Sequence, residues 1–141
     1  MMPQRRTIAI HDIAELAAVR EWLDDALCDH AIPDETRGRL LLCVHEVCAN
    51  ALRFGRSPQG VTVAVRFEGA EVHATVRDRG GGLDPAHLRR ACPGPESESG
   101  RGLFILRALM DHVEFHTNGG TEVRLVTLVP ARLRRPSHAA R

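Results

Sequence analysis

The chain has 141 residues, of which 43% are hydrophobic and 26% are charged, and its formal net charge at pH 7 is +1. This composition is typical of a globular protein, and so small a net charge gives no reason to expect nucleic acid or a membrane surface as a partner. All 19 basic residues are arginine. The absence of lysine excludes a Walker-type phosphate loop and Schiff-base chemistry, because both require a lysine.

The first half of the chain predicts a strand, two helices and a hairpin. Asp12 followed three positions later by Glu15 indicates a capping box at the start of the first helix. Pro33 and Asp34 mark the start of the second helix, and Gly55 its end. The expected elements are a strand over 7–10, helices over 13–31 and 34–55, and hairpin strands over 61–67 and 71–77.

The second half predicts a loop, a helix and another hairpin. Residues 83–99 contain three prolines and only a short helical stretch over 86–91, so we expect a mobile loop. A helix is expected over 101–111, followed by hairpin strands over 113–116 and 122–129.

These elements predict an α+β fold. We expect a two-layer α/β sandwich in which helices cover one face of a mixed, mostly antiparallel sheet. The domain is expected to span residues 1–130, and residues 131–141 to form a disordered basic tail.

The four cysteines do not follow a metal-binding or disulfide pattern. No pair has the C-x-x-C spacing, and no histidines complete a zinc motif around them. Cys43 and Cys48 lie within an apolar helical pattern, so we expect buried free thiols. With no signal peptide and no apolar run near the ~18 residues of a membrane span, we expect a cytoplasmic protein.

The second helix carries a carboxylate and an amide on one side. Glu46 and Asn50 are four residues apart, so their side chains point the same way. An amide oxygen suits Mg²⁺, and a glutamate can take a proton from a water or a hydroxyl. A solvated helix edge with one Glu–Asn contact is the other interpretation of this pair.

Two glycine-rich segments follow. Asp78 follows a predicted strand and precedes Gly80, Gly81 and Gly82, where a backbone could approach a ligand closely and the acid could accept a hydrogen bond from an exocyclic amine. A plain turn is the alternative. The segment 99–103 places two glycines before a helix, whose N-terminal N–H groups would favour phosphate; a flexible loop end is the alternative there.

Taken in order, these segments resemble the GHKL ATPase superfamily, which includes gyrase, Hsp90, histidine kinases and MutL. Within it the chain is most similar to the single-domain bacterial anti-sigma factor serine/threonine kinases, also called anti-sigma regulatory factors. The resemblance covers roughly residues 5–130. The matching positions are the N-box Glu46 to Asn50, a first glycine box at Asp78, Gly80 and Gly82, a second at Gly100 and Gly102, and the pair Gly120-Thr121.

The resemblance implies a Bergerat-type ATP site. Asn50 would bind the Mg²⁺ that bridges the phosphates, and Glu46 would be the catalytic base toward the acceptor hydroxyl. Asp78, within the box that includes Gly80 and Gly82, would receive the adenine amino group, with Thr121 nearby. The phosphate cradle would lie beneath a lid formed by residues 83–99, and its residues would be Gly100, Arg101, Gly102 and Leu103.

The resemblance also implies partners. The protein would sequester a sigma factor and phosphorylate an anti-sigma factor antagonist of the STAS type, and it would form a homodimer without contacting nucleic acid or a membrane. Arg20, on the first helix, matches a partner-contacting arginine of the family, although a solvated helix arginine is an equal interpretation.

Two other functions stay open. One is a non-catalytic, ATP-gated protein-binding module of the same fold, since a fold does not establish an activity. The other is a detached histidine-kinase catalytic domain, which the lack of a dimerising phospho-acceptor helix and of an N-box lysine disfavours.

Overall fold

The computed structural model describes residues 4–54, 59–79, 98–117 and 120–129. The elements in chain order are β1 (Gln4–Ile10), a 3₁₀ turn (Ile13–Glu15), α1 (Leu16–Asp29), α2 (Asp34–Phe54), β2 (Val61–Glu68), β3 (Glu71–Asp78), α3 (Glu98–Leu109), β4 (His112–Thr117) and β5 (Thr121–Leu128). Within these described ranges, no helix has the length and apolar character that a membrane span requires.

The five strands form one sheet in the order β1-β2-β3-β5-β4. Each of its four neighbouring pairs is antiparallel. The α+β fold class is therefore confirmed, and the sheet is antiparallel throughout its described strands rather than mixed. For β2–β3 and β4–β5 the reason is local, because short hairpin connections can link only antiparallel neighbours.

The helices cover one face of this sheet. Along β3 the residues alternate, so that Val72, Ala74 and Val76 are buried on the covered face while the residues between them lie on the other face. Helix α2 packs against β2, β3 and β5, and α1 and α3 pack against α2. The apolar side chains from the helices that complete this core include Val19, Leu23, Leu27, Leu40, Val44, Val47 and Leu106.

The predicted start of the first helix is confirmed. The Asp12 carboxylate accepts a hydrogen bond of 2.8 Å from the Ala14 N–H, and the Glu15 carboxylate accepts one of 3.1 Å from the Asp12 N–H. This is the reciprocal capping box that the sequence predicted, although it opens the 3₁₀ turn that leads into α1. Ile13 lies in that turn and is exposed.

The third helix begins earlier than predicted. We expected a helix over 101–111 with Gly100 and Gly102 at its start, whereas α3 spans Glu98–Leu109 and contains both glycines. A glycine inside a helix costs only about 1 kcal/mol relative to alanine, so it need not mark a boundary. The helix ends at Leu109 because the Asp111 N–H donates to the Val126 carbonyl of β5 at 3.0 Å.

Several predicted features lie outside the described residues. They are the greater part of the loop over 83–99, residues 118 and 119 of the second hairpin turn, and the tail over 131–141.

Candidate functional site

The candidate site is built on one end of the sheet. Asp78 is the last residue of β3, and it faces Val61, the first residue of β2, on one side and Thr121, the first residue of β5, on the other. Its exposed fraction is 0%, and that of Thr121 is 3%. Both side chains lie on the covered face and both have polar partners in the structure. A buried carboxylate is costly unless such partners stabilise it, so this strand end is a specialised position.

Gly120 brings β5 close to Asp78. Its φ of +139° lies in a region that favours glycine. A Cβ at this position would lie 2.3 Å from the Asp78 carbonyl oxygen and 2.8 Å from the Arg79 Cα. Only glycine therefore allows the two strands to meet at this spacing.

The end of α2 lies at the same end of the sheet. Residues 55–60 are the six residues between Phe54, the last residue of α2, and Val61, which pairs with Asp78. Gly60, the last residue of this connection, lies close to β1, because a Cβ on it would lie 2.2 Å from the Ile10 carbonyl oxygen. A connection of six residues limits how far the C-terminal end of α2 can lie from Asp78.

The C-terminal part of α2 carries the predicted carboxylate and amide. Asn50 is 9% exposed and Glu46 is half-buried, and their spacing of four residues places both on one side of α2. The described part of the chain contains five buried polar side chains, and Asn50, Asp78 and Thr121 are three of them. Buried polarity is thus concentrated on residues that the sequence motifs had singled out.

The cysteines of α2 define the environment around Glu46. Burial, together with a smaller contribution from the nearby charge of Glu46, raises the pKa of the Cys43 thiol to about 12. Burial alone raises the pKa of Cys48 to about 12. Both thiols are free and buried, as predicted. They are protonated at neutral pH and so are unsuited to act as nucleophiles or metal ligands.

Helix α3 contributes Gly102 and Leu103, both of which are buried. Its C-terminal end is fixed near Val126, toward the other end of β5 from Thr121. Its 12 residues give it a length of about 18 Å. The backbone of Gly100 and Arg101 lies in its first turn, while Gly80 and Gly82 lie outside the described residues.

Arg20 lies on α1. It is exposed and lines a shallow groove between α1 and α2. The groove is mostly apolar, and the other residues that line it are Leu16, Val19, Leu23, Leu41, Val44 and His45. An arginine beside an apolar groove is compatible with a protein contact.

A separate group of possible metal ligands lies at the opposite end of β3. The ligand atoms of Glu68, Glu71 and His73 lie within 4.8 Å of one another. Glu71 is seven residues from Asp78 along an extended strand, a distance of about 23 Å. This group is therefore not part of the candidate site.

The chemistry of the site fits a purine nucleotide with a divalent cation. A buried carboxylate such as that of Asp78 can accept a hydrogen bond from an exocyclic amine, and the Asn50 amide offers a neutral oxygen of the kind that Mg²⁺ accepts. Glu46 adds a proton acceptor on the same side of α2. These donors and acceptors suit ATP and Mg²⁺.

The packing roles of Gly60 and Gly120 were not predicted from the sequence motifs. Both have positive φ and both lie at the end of the sheet that holds Asp78. The sequence did single out Gly120, but only as part of the Gly120-Thr121 pair that matches the superfamily. Gly60 was predicted only as part of a turn, because its contact with Ile10 depends on a strand 50 residues earlier.

Comparisons with known proteins bear on the family and the fold. Residues 11–127 match the family model described as the histidine kinase-like ATPase domain. An anti-sigma F factor from Anoxybacillus flavithermus is 37% identical over 92 residues, which cover 59% of this chain and 63% of that protein. The alignment thus spans less than two thirds of this relative's length.

Two solved structures share the fold. The crystal structure of the RsbU and RsbW domains of a Mycobacterium tuberculosis protein superimposes with a TM-score of 0.69 at 21% identity, covering 97% of this chain and 34% of that one. The histidine kinase domain of a blue-light activated histidine kinase from Erythrobacter litoralis gives 0.52 at 23% identity, covering 82% and 60%. The match to the family model extends over most of the chain, and we conclude that this protein belongs to the histidine kinase-like ATPase domain family, as its resemblance to the GHKL superfamily predicted.

Proposed function

We propose that this protein is an anti-sigma factor with Mg²⁺-ATP-dependent serine/threonine kinase activity. The observation that carries the nucleotide part of the proposal is the fully buried carboxylate of Asp78 at the end of β3, beside Thr121 and Gly120. The sigma-factor part is supported by the similarity to an anti-sigma F factor.

The strand end would recognise the base. Asp78 would accept a hydrogen bond from the adenine amino group, and Thr121 would lie close enough to assist. A carboxylate in that position disfavours guanine, which presents a carbonyl oxygen where adenine presents an amine. The interaction gains strength from burial, because a charge-assisted hydrogen bond is stronger in a medium of low dielectric constant.

The end of α2 and the start of α3 would hold the phosphates. Asn50 would hold Mg²⁺, which when bound neutralises the charge that develops on the transferred phosphoryl group. The N-terminal N–H groups of α3 and the Arg101 guanidinium would attract phosphate oxygens, with Gly100, Gly102 and Leu103 allowing close approach. In the family's pattern, Gly80 and Gly82 would leave similar room beside the nucleotide.

Glu46 would be the catalytic base. The acceptor hydroxyl would lose its proton to the Glu46 carboxylate as its oxygen forms a bond to the γ-phosphorus and the bond to the β–γ bridging oxygen breaks. The half-buried position of Glu46, beside apolar α2 residues and on the same side as Asn50, supports this role. Positioning and charge neutralisation carry most of phosphoryl-transfer catalysis, so a site without lysine is chemically sufficient.

The protein partners proposed are a sigma factor, held while it is sequestered, and an antagonist of the STAS type that is phosphorylated on serine or threonine. The exposed Arg20 and the apolar groove beside it would form part of the partner surface. The active form would be a homodimer.

A phosphotransfer assay tests the proposal. The protein is incubated with Mg²⁺-ATP labelled at the γ-phosphate and with purified STAS-type antagonist proteins. The expected result is label on a serine or threonine of one antagonist, with a loss of roughly 10²–10⁴-fold in rate for Glu46→Gln at unchanged ATP affinity. Glu35→Gln is the matched control, because Glu35 lies on the same helix and is exposed and paired with Arg39.

Two results would contradict the proposal, one for the role of Glu46 and one for the kinase activity. Transfer that survives in Glu46→Gln would remove Glu46 from the catalytic role. If the wild-type protein binds ATP and transfers no phosphate to any antagonist, the kinase proposal fails, and an ATP-gated binding module takes its place.

A further inference from the structure

Three side chains that can ligate a metal converge at the turn between β2 and β3. Glu68 ends β2 and Glu71 begins β3, with only Gly69 and Ala70 between them, and His73 follows on β3. The ligand atoms of the three side chains lie within 4.8 Å of one another. We call Glu68, Glu71 and His73 the turn cluster.

Strand geometry holds the turn cluster on one face of the sheet. Glu71 and His73 are two residues apart on β3, so their side chains point to the same face. Val72, between them, is buried under the helices, so this is the uncovered face. Glu68 pairs directly with Glu71 across the hairpin, and the Cβ atoms of such a pair lie about 4.5–5.5 Å apart. Backbone register therefore brings the three ligands together.

The two carboxylates of the turn cluster favour a cation between them. Like charges directly opposite each other on neighbouring strands are destabilising, and Glu68 and Glu71 stand in that relation. A divalent cation bound to both carboxylates would remove this repulsion. The side chains are 52% and 46% exposed, so an ion can reach them from solvent without any opening of the fold.

His73 adds a nitrogen ligand at a suitable spacing. Its Nε2 lies 2.8 Å from the Glu71 carboxylate and 3.9 Å from the Glu68 carboxylate. Ligand atoms placed tetrahedrally at about 2.1 Å from a zinc ion are about 3.4 Å from one another. The two observed distances lie on either side of this value, so small side-chain rotations would make room for the ion. The His73 side chain is only 15% exposed, so packing limits the movement of its ring.

Coordination requires a lone pair on His73 Nε2. In the structure this nitrogen is hydrogen-bonded to the Glu71 carboxylate, and the ion would take the place of the proton between them. Within the described part of the chain, His73 Nδ1 has no hydrogen-bond partner. No donor therefore fixes Nδ1 as an acceptor, and the tautomer that carries its proton on Nδ1 is accessible.

Arg66 opposes the binding of a cation. Its guanidinium lies 3.3 Å from the Glu68 carboxylate, and the residue pairs with His73 across β2 and β3. The Arg66 side chain is 42% exposed, and an exposed ion pair of this kind contributes little stability. The guanidinium can therefore turn into solvent when an ion binds, although its charge still weakens binding. Removal of this charge should strengthen binding of the ion.

We propose that the turn cluster binds a divalent cation of the zinc type. One imidazole nitrogen and two carboxylate oxygens match the ligands of zinc, with water completing the tetrahedron, whereas Mg²⁺ prefers oxygen ligands alone. The bound ion would link β2 to β3 at their turn. The site is separate from the proposed nucleotide site, which lies at the other end of β3, and the inference does not rest on the proposed kinase function.

The test is a titration of the ¹⁵N-labelled full chain with Zn²⁺, read by NMR at the His73 ring nitrogens and the Val72 amide. We expect saturable changes at both, with a shift of Nε2 that marks coordination. Glu71→Gln should bind at least about tenfold more weakly, because loss of even an outer partner of a metal ligand costs about 10–100-fold. Arg66→Gln should bind severalfold more tightly, because it removes a nearby positive charge.

Glu114→Gln is the matched control. Glu114 lies on β4 and is also a glutamate in contact with histidine, at 2.6 Å from His112 and 2.8 Å from His116. Its substitution removes the same charge from the same kind of Glu–His contact outside the turn cluster. The response of His73 to Zn²⁺ should therefore match that of the wild-type protein.

Several results would overturn the proposal. They are the absence of a saturable change at His73, unchanged affinity in Glu71→Gln, equal weakening by Glu71→Gln and Glu114→Gln, and weaker binding in Arg66→Gln. An equal response to Mg²⁺ at the same concentration would contradict a zinc-type ligand set. If Glu71→Gln fails to fold, Glu68→Gln gives the same comparison.

Discussion

Asp78 and Thr121 face each other across β3 and β5, and both are buried at the point where the two strands meet. A carboxylate and a hydroxyl held side by side by strand register need no loop to position them. The adenine-binding role proposed for this pair therefore depends on the most regular part of the fold. Apart from Gly120, the other nucleotide-site residues that the structure describes lie on α2 and α3, which pack against the sheet or against each other.

The approach of β5 to Asp78 should be sensitive to a single methyl group. We predict that Gly120→Ala lowers the free energy of unfolding by at least about 2 kcal/mol, because the new Cβ would lie 2.3 Å from the Asp78 carbonyl oxygen and the backbone φ is +139°. Urea unfolding measures the change. Gly38→Ala is the control, since Gly38 lies in α2 with no atom near its Cβ position and should stabilise by about 0.5–1 kcal/mol. Equal effects at the two positions would contradict the packing described.

The capping box at the start of α1 should give an acid-dependent stability. The hydrogen bond from the His11 N–H and then that from the Asp12 N–H lower the pKa of Glu15 below its usual value of 4.5. A lowered folded-state pKa contributes stability above the unfolded-state pKa, and this is lost as pH falls through the folded-state pKa. Glu15→Gln should therefore be less stable than wild type at neutral pH, with the difference shrinking below about pH 4.5.

Thermal unfolding across this pH range checks the capping prediction. Glu21→Gln, at an exposed position on α1, should lack the effect. A difference between wild type and Glu15→Gln that stays constant with pH would show that the carboxylate charge does not contribute.

The thiols of α2 should be inert in the folded protein. Burial raises the pKa of Cys43 and of Cys48 to about 12, so almost no thiolate is present at neutral pH, whereas Cys28 is exposed. In a Cys92→Ser background, we predict that a disulfide reagent modifies Cys28 rapidly under native conditions. Cys43 and Cys48 should react only after denaturant is added. Rapid native modification of either α2 thiol, located by peptide mass, would be inconsistent with the burial described.

The order of the helices and strands could be predicted from the sequence, because the local signals agree with the fold. The Asp12 and Glu15 pair predicted the capping box, and the alternation along 71–77 predicted β3 with its two faces. The predicted start of α3 was three residues too late, because Gly100 was interpreted as a helix boundary. A glycine inside a helix costs only about 1 kcal/mol relative to alanine, so a helix can continue through it.

Other features depend on contacts between distant segments, which a single sequence does not reveal. The Asp78–Thr121 pair requires β5 to lie beside β3, a choice set by packing among all five strands. Arg5, Arg66 and His73 likewise become cross-strand neighbours only through the register of three strands, and nothing in the local pattern of any one strand predicts this.

The central claim is that the strand end at Asp78 binds ATP, and calorimetric titration of Mg²⁺-ATP into wild type and Asp78→Asn tests it most directly. Asn is close to Asp in shape but lacks the charge, so we predict at least about tenfold weaker binding of ATP, with a smaller preference for ATP over GTP. Asp111→Asn is the control, because Asp111 accepts from the Leu128 N–H at 2.7 Å at the other end of β5, and it should bind ATP like wild type. Wild-type affinity in a folded Asp78→Asn variant, or equal losses in both variants, would contradict the account.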